Sequence, residues 1–264
     1  MLPEFTITRP SRIDEVIDVL SADVVPYAGG TELLLAMKMG LLVPTGLVDL
    51  KRVPGLREIA VSDTALLIGA GATHDDVARN ELVRTSAPLL AEVETRVGNA
   101  RVRAQGTVGG NLCFAEPRSD LLAVLAAIDA SLVLRSVRGE RTLSMSEFVL
   151  GPYWTDRADD ELLVHVSIPM PCPAGAYLKL QITERPTVGV AAVRTSSGQC
   201  RLVVGSVVEV PLVITAESWE EIDPVAIARE VEPVSDIAGS SEYKKHVTEV
   251  YVRRVIGLAQ GGGR

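Results

Sequence analysis

The sequence predicts an α+β protein, and three observations carry that prediction. A strand, a glycine turn, a helix and a second strand open the chain. An alternating hairpin then leads into a helical middle, and strand-like runs with one long amphipathic helix follow a proline cluster.

Taken in order, Ser11 is placed as an N-cap ahead of Ile13, Val16, Ile17 and Leu20, which recur at helical spacing. Val24 to Tyr27 is a short apolar strand broken by Ala28-Gly29-Gly30-Thr31, and Glu32 to Met39 reads as a helix that stops at Gly40. Leu47 to Leu50 completes a small βαβ-type layer. Leu56 to Ala60 and Ala65 to Ala70 form a hairpin around Ser62-Asp63. His74 to Asn80 and Pro88 to Val97 read as helices, Gly98 to Gly110 as irregular turn, and Asp120 to Ile128 as a strongly apolar helix. Ser131 to Arg135 pairs with Arg141-Thr142-Leu143 across Arg138-Gly139.

A domain boundary is placed at Ile168-Pro169-Met170-Pro171-Cys172-Pro173, because such proline density suits neither a helix nor a central strand. Strands follow at Ala176 to Gln181, Val188 to Arg194 and Cys200 to Val208. A helix over Glu242 to Leu258 carries Tyr243, Val247, Val250, Tyr251 and Ile256 as its apolar stripe, and Gly261 to Arg264 reads as a flexible tail.

Composition narrows the function classes. The 264 residues are 47% hydrophobic and 23% charged, as in an ordinary globular protein, and the net charge of −8 argues against a nucleic-acid surface. No apolar run approaches the roughly 18 residues of a membrane span, and Met1 to Pro10 lacks the order of a signal peptide, so the chain is expected in the cytoplasm. Cys113, Cys172 and Cys200 are too scattered for a disulfide framework or an iron–sulfur cluster. His74, His165 and His246 show no ligand spacing and are read as surface or structural residues, so no metal site is expected.

Two glycine segments carry the chemistry. In Ala28-Gly29-Gly30-Thr31-Glu32-Leu33 a strand enters and a helix leaves, so backbone N–H groups and the Thr31 hydroxyl can face a phosphate; the plainer reading is turn chemistry alone. In Thr107-Val108-Gly109-Gly110-Asn111 the glycines again permit close approach, with Asn111, Ser119 and Asp120 as polar partners. Asp120 is also a candidate N-cap, and one carboxylate can serve both purposes.

The two segments lie about 80 residues apart, and their pattern resembles a known family. A-G-G-T-E-L, R-x-Q-G-T-V-G-G-N-L and A-x-P-x-S-D-L-x-x-V-L are similar to the FAD-binding medium subunit of molybdenum hydroxylases. Glu147 to Tyr153 with Thr155, Glu161-Leu162-Leu163 to Ile168-Pro169, Tyr177-Leu178-Lys179 and Gly239 to Tyr243 with His246 continue the likeness. It spans about Phe5 to Leu258.

The resemblance implies a vanillyl-alcohol-oxidase (PCMH)-type FAD-binding fold over residues 1–168, with lobes of about 1–55 and 56–168, and a small α+β domain over 169–264. It implies that Ala28 to Leu33 hold the FAD pyrophosphate, and that Thr107, Gly109, Gly110 and Asn111 line the second side. Asp120 would hydrogen-bond the ribose region, with Ser119 as a further polar partner of the second segment, and Leu163, Ile168 and Lys179 would lie near the isoalloxazine ring. Lys179 would favour negative charge on reduced flavin; its plainer reading is a solvated lysine on a strand. The implied partners are a molybdopterin large subunit and a [2Fe–2S] small subunit, with electrons leaving to NAD, a quinone or oxygen. The stretch around Gly151-Pro152-Tyr153-Trp154 is a candidate partner contact.

One departure from the family pattern motivates a second reading. The stretch Thr183 to Thr187 looks shortened and contains Pro186; separately, only Val97 and Gly98 stand where some relatives place an aromatic over the ring. The alternative is a stand-alone small-molecule enzyme on the same fold: a flavin oxidase, or a cyclase or rearrangement catalyst in natural-product biosynthesis.

Overall fold

The computed structural model describes residues 2–261; residues 262–264 of the expected tail lie outside the described residues. The chain opens on a parallel three-stranded sheet of β1 (Thr6–Thr8), β2 (Val24–Tyr27) and β3 (Gly46–Asp49), with β3 central. Helices α1 (Ile13–Ile17) and α2 (Leu33–Lys38) make its crossovers. Arg12, not Ser11, occupies the α1 N-cap position, and Ser11 instead donates to Glu15.

An antiparallel sheet follows, built from β4 (Ile59–Val61), β5 (Ala65–Gly69), β6 (Ser131–Ser136) and β7 (Gly139–Ser144). A two-stranded pair, β8 (Val149–Gly151) and β9 (Trp154–Thr155), stands beside it. Then β10 (Leu162–Pro169) inserts at the centre, giving the order β4-β5-β10-β6-β7. The β4–β5 hairpin turns where expected, whereas the β6–β7 turn falls at Val137-Arg138, one residue earlier than expected, because Gly139 at φ +111° already pairs with Ser136; Leu56 lies ahead of the first strand as a buried plug. Alternation along β10 serves two cores. Leu163, Val166 and Ile168 face the main one, and Leu162 and Val164 face Val16, Leu20 and Val48 in the N-terminal βαβ layer.

Between β5 and β6 lie α3 (His74–Arg79), α4 (Glu81–Ser86), α5 (Pro88–Glu94), α6 (Ala100–Gln105), α7 (Val108–Phe114) and α8 (Asp120–Ala127), and α9 (Met145–Phe148) follows β7. The stretch expected to be irregular, Gly98 to Gly110, is thus mostly helical. Caps are the reason. Asn99 Oδ1 accepts from the N–H of Arg101 and Val102, and Thr107 Oγ1 from that of Gly110, which offsets the poor helix propensity of Gly109 and Gly110. Likewise Asn80 ends α3 and caps α4, a helix the apolar pattern did not reveal.

Beyond the proline cluster, β11 (Ala174–Leu180), β12 (Val188–Arg194), β13 (Cys200–Gly205) and β14 (Leu212–Ala216) form an antiparallel meander. Helices α10 (Pro224–Glu230) and α11 (Ser241–Gln260) pack together, and α11 also lies on the meander. The buried stripe of α11 is Lys244, Val247, Thr248, Val252 and Val255, whereas Tyr243 is exposed. The helix is rotated relative to the expected stripe because Lys244 is anchored, donating to the Val234 carbonyl at 2.7 Å and pairing with Asp236 at 2.8 Å. Every residue of α8 is buried, and this helix packs against β12 and β13 as well as α5.

Candidate functional site

The first glycine segment is the turn between β2 and α2. Gly30 sits at φ +73°, where a Cβ would lie 2.5 Å from the Tyr27 ring. A Cβ on Gly29 would lie 2.0 Å from the Gln105 carbonyl oxygen and 2.9 Å from the Gly106 Cα. Gly29 therefore packs backbone against backbone on the segment that enters Thr107. Two turns remote in sequence are neighbours in space, and only a residue without a side chain allows it.

The amides of Gly29, Gly30, Thr31 and Glu32 find no acceptor in the chain among the described residues, and all four residues are half-buried. Backbone donors left in a partly sheltered turn call for an anion or water, and a run of them at the entry to α2 suits a diphosphate. The second glycine segment contributes differently. Gly109 N–H donates to the Ala70 carbonyl at 2.8 Å and Gly110 N–H to Thr107 Oγ1 at 3.1 Å, so those amides are spent. What remains is an exposed, side-chain-free surface at Gly110 and the carboxamide of Asn111, whose Oδ1 accepts from Ser119 Oγ at 2.6 Å.

Ser119 holds the N-cap position of α8 without a side-chain cap, and Asp120 is the first helical residue. The buried Asp120 carboxylate accepts from Tyr177 Oη at 2.6 Å and Lys179 Nζ at 2.8 Å. Lys179 also donates to the Arg96 carbonyl at 2.9 Å, so it is not the solvated strand lysine. Leu163 and Ile168 are buried on β10 in the main core, the same apolar cluster that takes in Tyr177.

A second polar group borders the first turn. Arg185, in the loop after β11, bonds both oxygens of Glu32 and lies 3.5 Å from Glu116. Glu116 accepts from Tyr153 Oη at 2.6 Å and from Arg118. Burial pushes the Glu116 carboxyl up, but the Tyr153 hydrogen bond, Arg185 and Arg118 outweigh it and hold it below the usual range. Tyr153 is pushed up to about 12 by burial and by the same bond. Sequence reasoning missed Tyr177, Glu116 and Arg185 as site residues. For Tyr177 the signal existed: two residues before Lys179 on a strand, it shares that lysine's face.

Two hollows of about 530 and 240 Å³ lie elsewhere, beside Arg57 and Asp76 and beneath His165, and neither contains a glycine-turn residue. The 530 Å³ hollow is lined largely by charged and polar side chains, where Arg57 and Asp76 pair.

A small parallel sheet whose glycine turn packs on the segment entering Thr107, beside a larger antiparallel sheet, is the arrangement of a nucleotide-binding chain with free backbone donors at one turn. Residues 3–171 match the FAD binding domain in molybdopterin dehydrogenase, and the chain belongs to that family. It is 29% identical over 280 residues to the carbon monoxide dehydrogenase medium chain of Hydrogenophaga pseudoflava, covering 97% of each. It is 34% identical over 171 residues to caffeine dehydrogenase subunit beta of Pseudomonas sp. (strain CBB1), covering 63% of this chain and 58% of that one. Among solved structures, carbon monoxide dehydrogenase from Hydrogenophaga pseudoflava superposes with a TM-score of 0.90 at 28% identity, covering 99% of each chain. Quinoline 2-oxidoreductase from Pseudomonas putida 86 does so with a TM-score of 0.89 at 29% identity and the same coverage.

Proposed function

We propose that this chain is the FAD-bearing medium subunit of a molybdenum hydroxylase. In this reading it accepts electrons from the [2Fe–2S] clusters of a small subunit, fed by a molybdopterin large subunit, and delivers them to NAD, a quinone or oxygen. The observation that carries it is the full-length likeness to a medium chain, 97% of each sequence, combined with the four unpartnered amides of Gly29 to Glu32. The stand-alone reading is not favoured, because the likeness runs through the C-terminal sheet and α11 as well as the glycine turns.

Bound FAD supplies the redox chemistry. The chain's own task is placement. Ala28 to Leu33 would hold the pyrophosphate through backbone donors and Thr31, and Thr107, Gly109, Gly110 and Asn111 would form the opposite wall. Ser119 fixes Asn111, Asp120 would present a carboxylate to the ribose region, and Lys179 would present an ammonium to the isoalloxazine ring. Leu163 and Ile168 would back the ring from the core. A division into residues 1–168, with lobes of about 1–55 and 56–168, and 169–264 accords with sheets that share no strand and with a family match ending at residue 171. Exposed Tyr153 and Trp154 would contact a partner subunit, and the complex would work in the cytoplasm. No helix among the described residues is long and apolar enough to cross a membrane.

An absorption spectrum of the purified chain with and without added FAD tests this reading. Bands near ~370 and ~450 nm that bleach with dithionite are expected. A colourless protein whose spectrum and melting temperature ignore FAD overturns it.

A further inference from the structure

Asp120 lies at the meeting point of three elements. It opens α8, it receives Tyr177 and Lys179 from β11, and Lys179 in turn donates to the Arg96 carbonyl beyond α5. Arg96 closes the ring by donating to the Tyr177 carbonyl at 3.3 Å. Every member except the Arg96 guanidinium is largely buried, so each polar contact excludes water and holds its geometry.

Donor arithmetic in this ring is informative. Lys179 has three N–H bonds, and two are spent on Asp120 Oδ2 and the Arg96 carbonyl; the third has no acceptor in the chain among the described residues. Asp120 Oδ1 is held by Tyr177 Oη at 2.6 Å and so does not compete for that third N–H. The tyrosine is a committed donor, since burial and the adjacent carboxylate push its ionisation well above the ordinary value. Its hydroxyl lies over Gly189, the strand partner of Lys179, where a Cβ would come within 2.4 Å of Oη. The chain thus provides both the hydroxyl and the space for it.

We propose that Tyr177 is a positioning residue of the flavin site: by holding Asp120 Oδ1 it leaves Lys179 with a free N–H, and with a positive charge that the shared carboxylate neutralises less completely, to offer the cofactor. The inference rests on the reading that Asp120 and Lys179 face FAD. A positive charge there favours the negative charge of reduced flavin and raises its potential. Without the Tyr177 hydroxyl, Asp120 draws Lys179 to itself and that charge is muted.

The test compares the FAD-loaded full chain with Tyr177→Phe, Gly189→Ala and Lys179→Met. It uses reductive titration against a dye of known potential, the FAD dissociation constant, and melting of the apo chain. Lys179→Met lowers the midpoint potential. Tyr177→Phe and Gly189→Ala shift it the same way by less, with FAD binding weakened up to about tenfold. If those two change only apo melting while Lys179→Met still lowers the potential, the inference on Tyr177 is overturned and the site reading stands. If Lys179→Met leaves both potential and affinity unchanged, the lysine does not face the cofactor and both fall.

Discussion

Arg185 donates to both carboxylate oxygens of Glu32, at 2.8 and 3.0 Å, and so ties the loop after β11 to the residue that follows the first glycine turn. The two lie 153 positions apart, in the last and first parts of the chain. The segment that looked shortened in the sequence, with Pro186 in it, is what delivers this guanidinium to the turn.

Both side chains are about two-thirds buried, so the pair is only partly screened. Arg185→Gln is expected to speed FAD release several-fold. A double-mutant cycle with Glu32→Gln should return a coupling of about 1 kcal/mol that shrinks in high salt. Strictly additive effects of the two substitutions would show that the contact does not hold the turn.

Gly29 and Gly110 separate packing from ligand approach. Gly29→Ala puts a Cβ 2.0 Å from the Gln105 carbonyl, an immovable neighbour, and should cost about 1–3 kcal/mol of stability as well as FAD binding. Gly110→Ala meets only Thr107 Oγ1, at 2.9 Å, and gains helix propensity. It should leave the apo chain near wild-type stability yet weaken FAD. Urea unfolding alongside FAD titration checks both, and equal loss of stability in the two variants would contradict the assignment.

His74 and Glu94 form a buried pair at 2.7 Å behind the Thr107 segment, with the second Glu94 oxygen unpartnered. Removing one member leaves a buried polar group unpartnered, so His74→Phe or Glu94→Leu alone is expected to cost about 1–3 kcal/mol. The double substitution should cost clearly less than the sum, read from denaturant midpoints at constant slope.

Glu116 and Tyr153 give the stability a pH signature at both ends. The Glu116 carboxyl is held below its ordinary 4.5, so its contribution is present above that pH and is lost as pH falls through the depressed value. Tyr153 is raised from 10.0 to about 12, so its contribution is complete below pH 10 and is lost as pH climbs toward 12. Glu116→Gln should flatten the acid limb of a urea midpoint–pH curve, and Tyr153→Phe the alkaline limb. Unchanged limbs would mean the bond does not persist in solution.

Much of the fold was legible because it rests on local signals. Gly29-Gly30 between an apolar run and a Leu-rich helix, the β6–β7 hairpin within one residue of Arg138-Gly139, and the apolar run from Asp120 all announce themselves within ten residues. What was not legible depends on distant partners. The helices on either side of Thr107 are set by side-chain caps, and α7 also by Ala70 beneath Gly109, against the propensity of its own glycines. The rotation of α11 is set by a carbonyl ten residues upstream. The site shows the same divide. The glycine turns could be named from sequence, but Arg185 could not, since nothing near it forecasts a partner at Glu32. Tyr177 lay between the two, visible to anyone who paired it with Lys179 by strand parity.

The wholly buried helix α8 bears on what counts as a separable piece of this protein. The family match stops at residue 171, and the main core does not: Tyr177, Ala191, Val193 and Val203 pack into it from the far side of the proline cluster. A chain cut at that cluster would strip cover from a helix with no polar face to present in its place. The recurring evolutionary module and the autonomous folding unit therefore have different borders, and a fragment drawn along the first would be sticky rather than native.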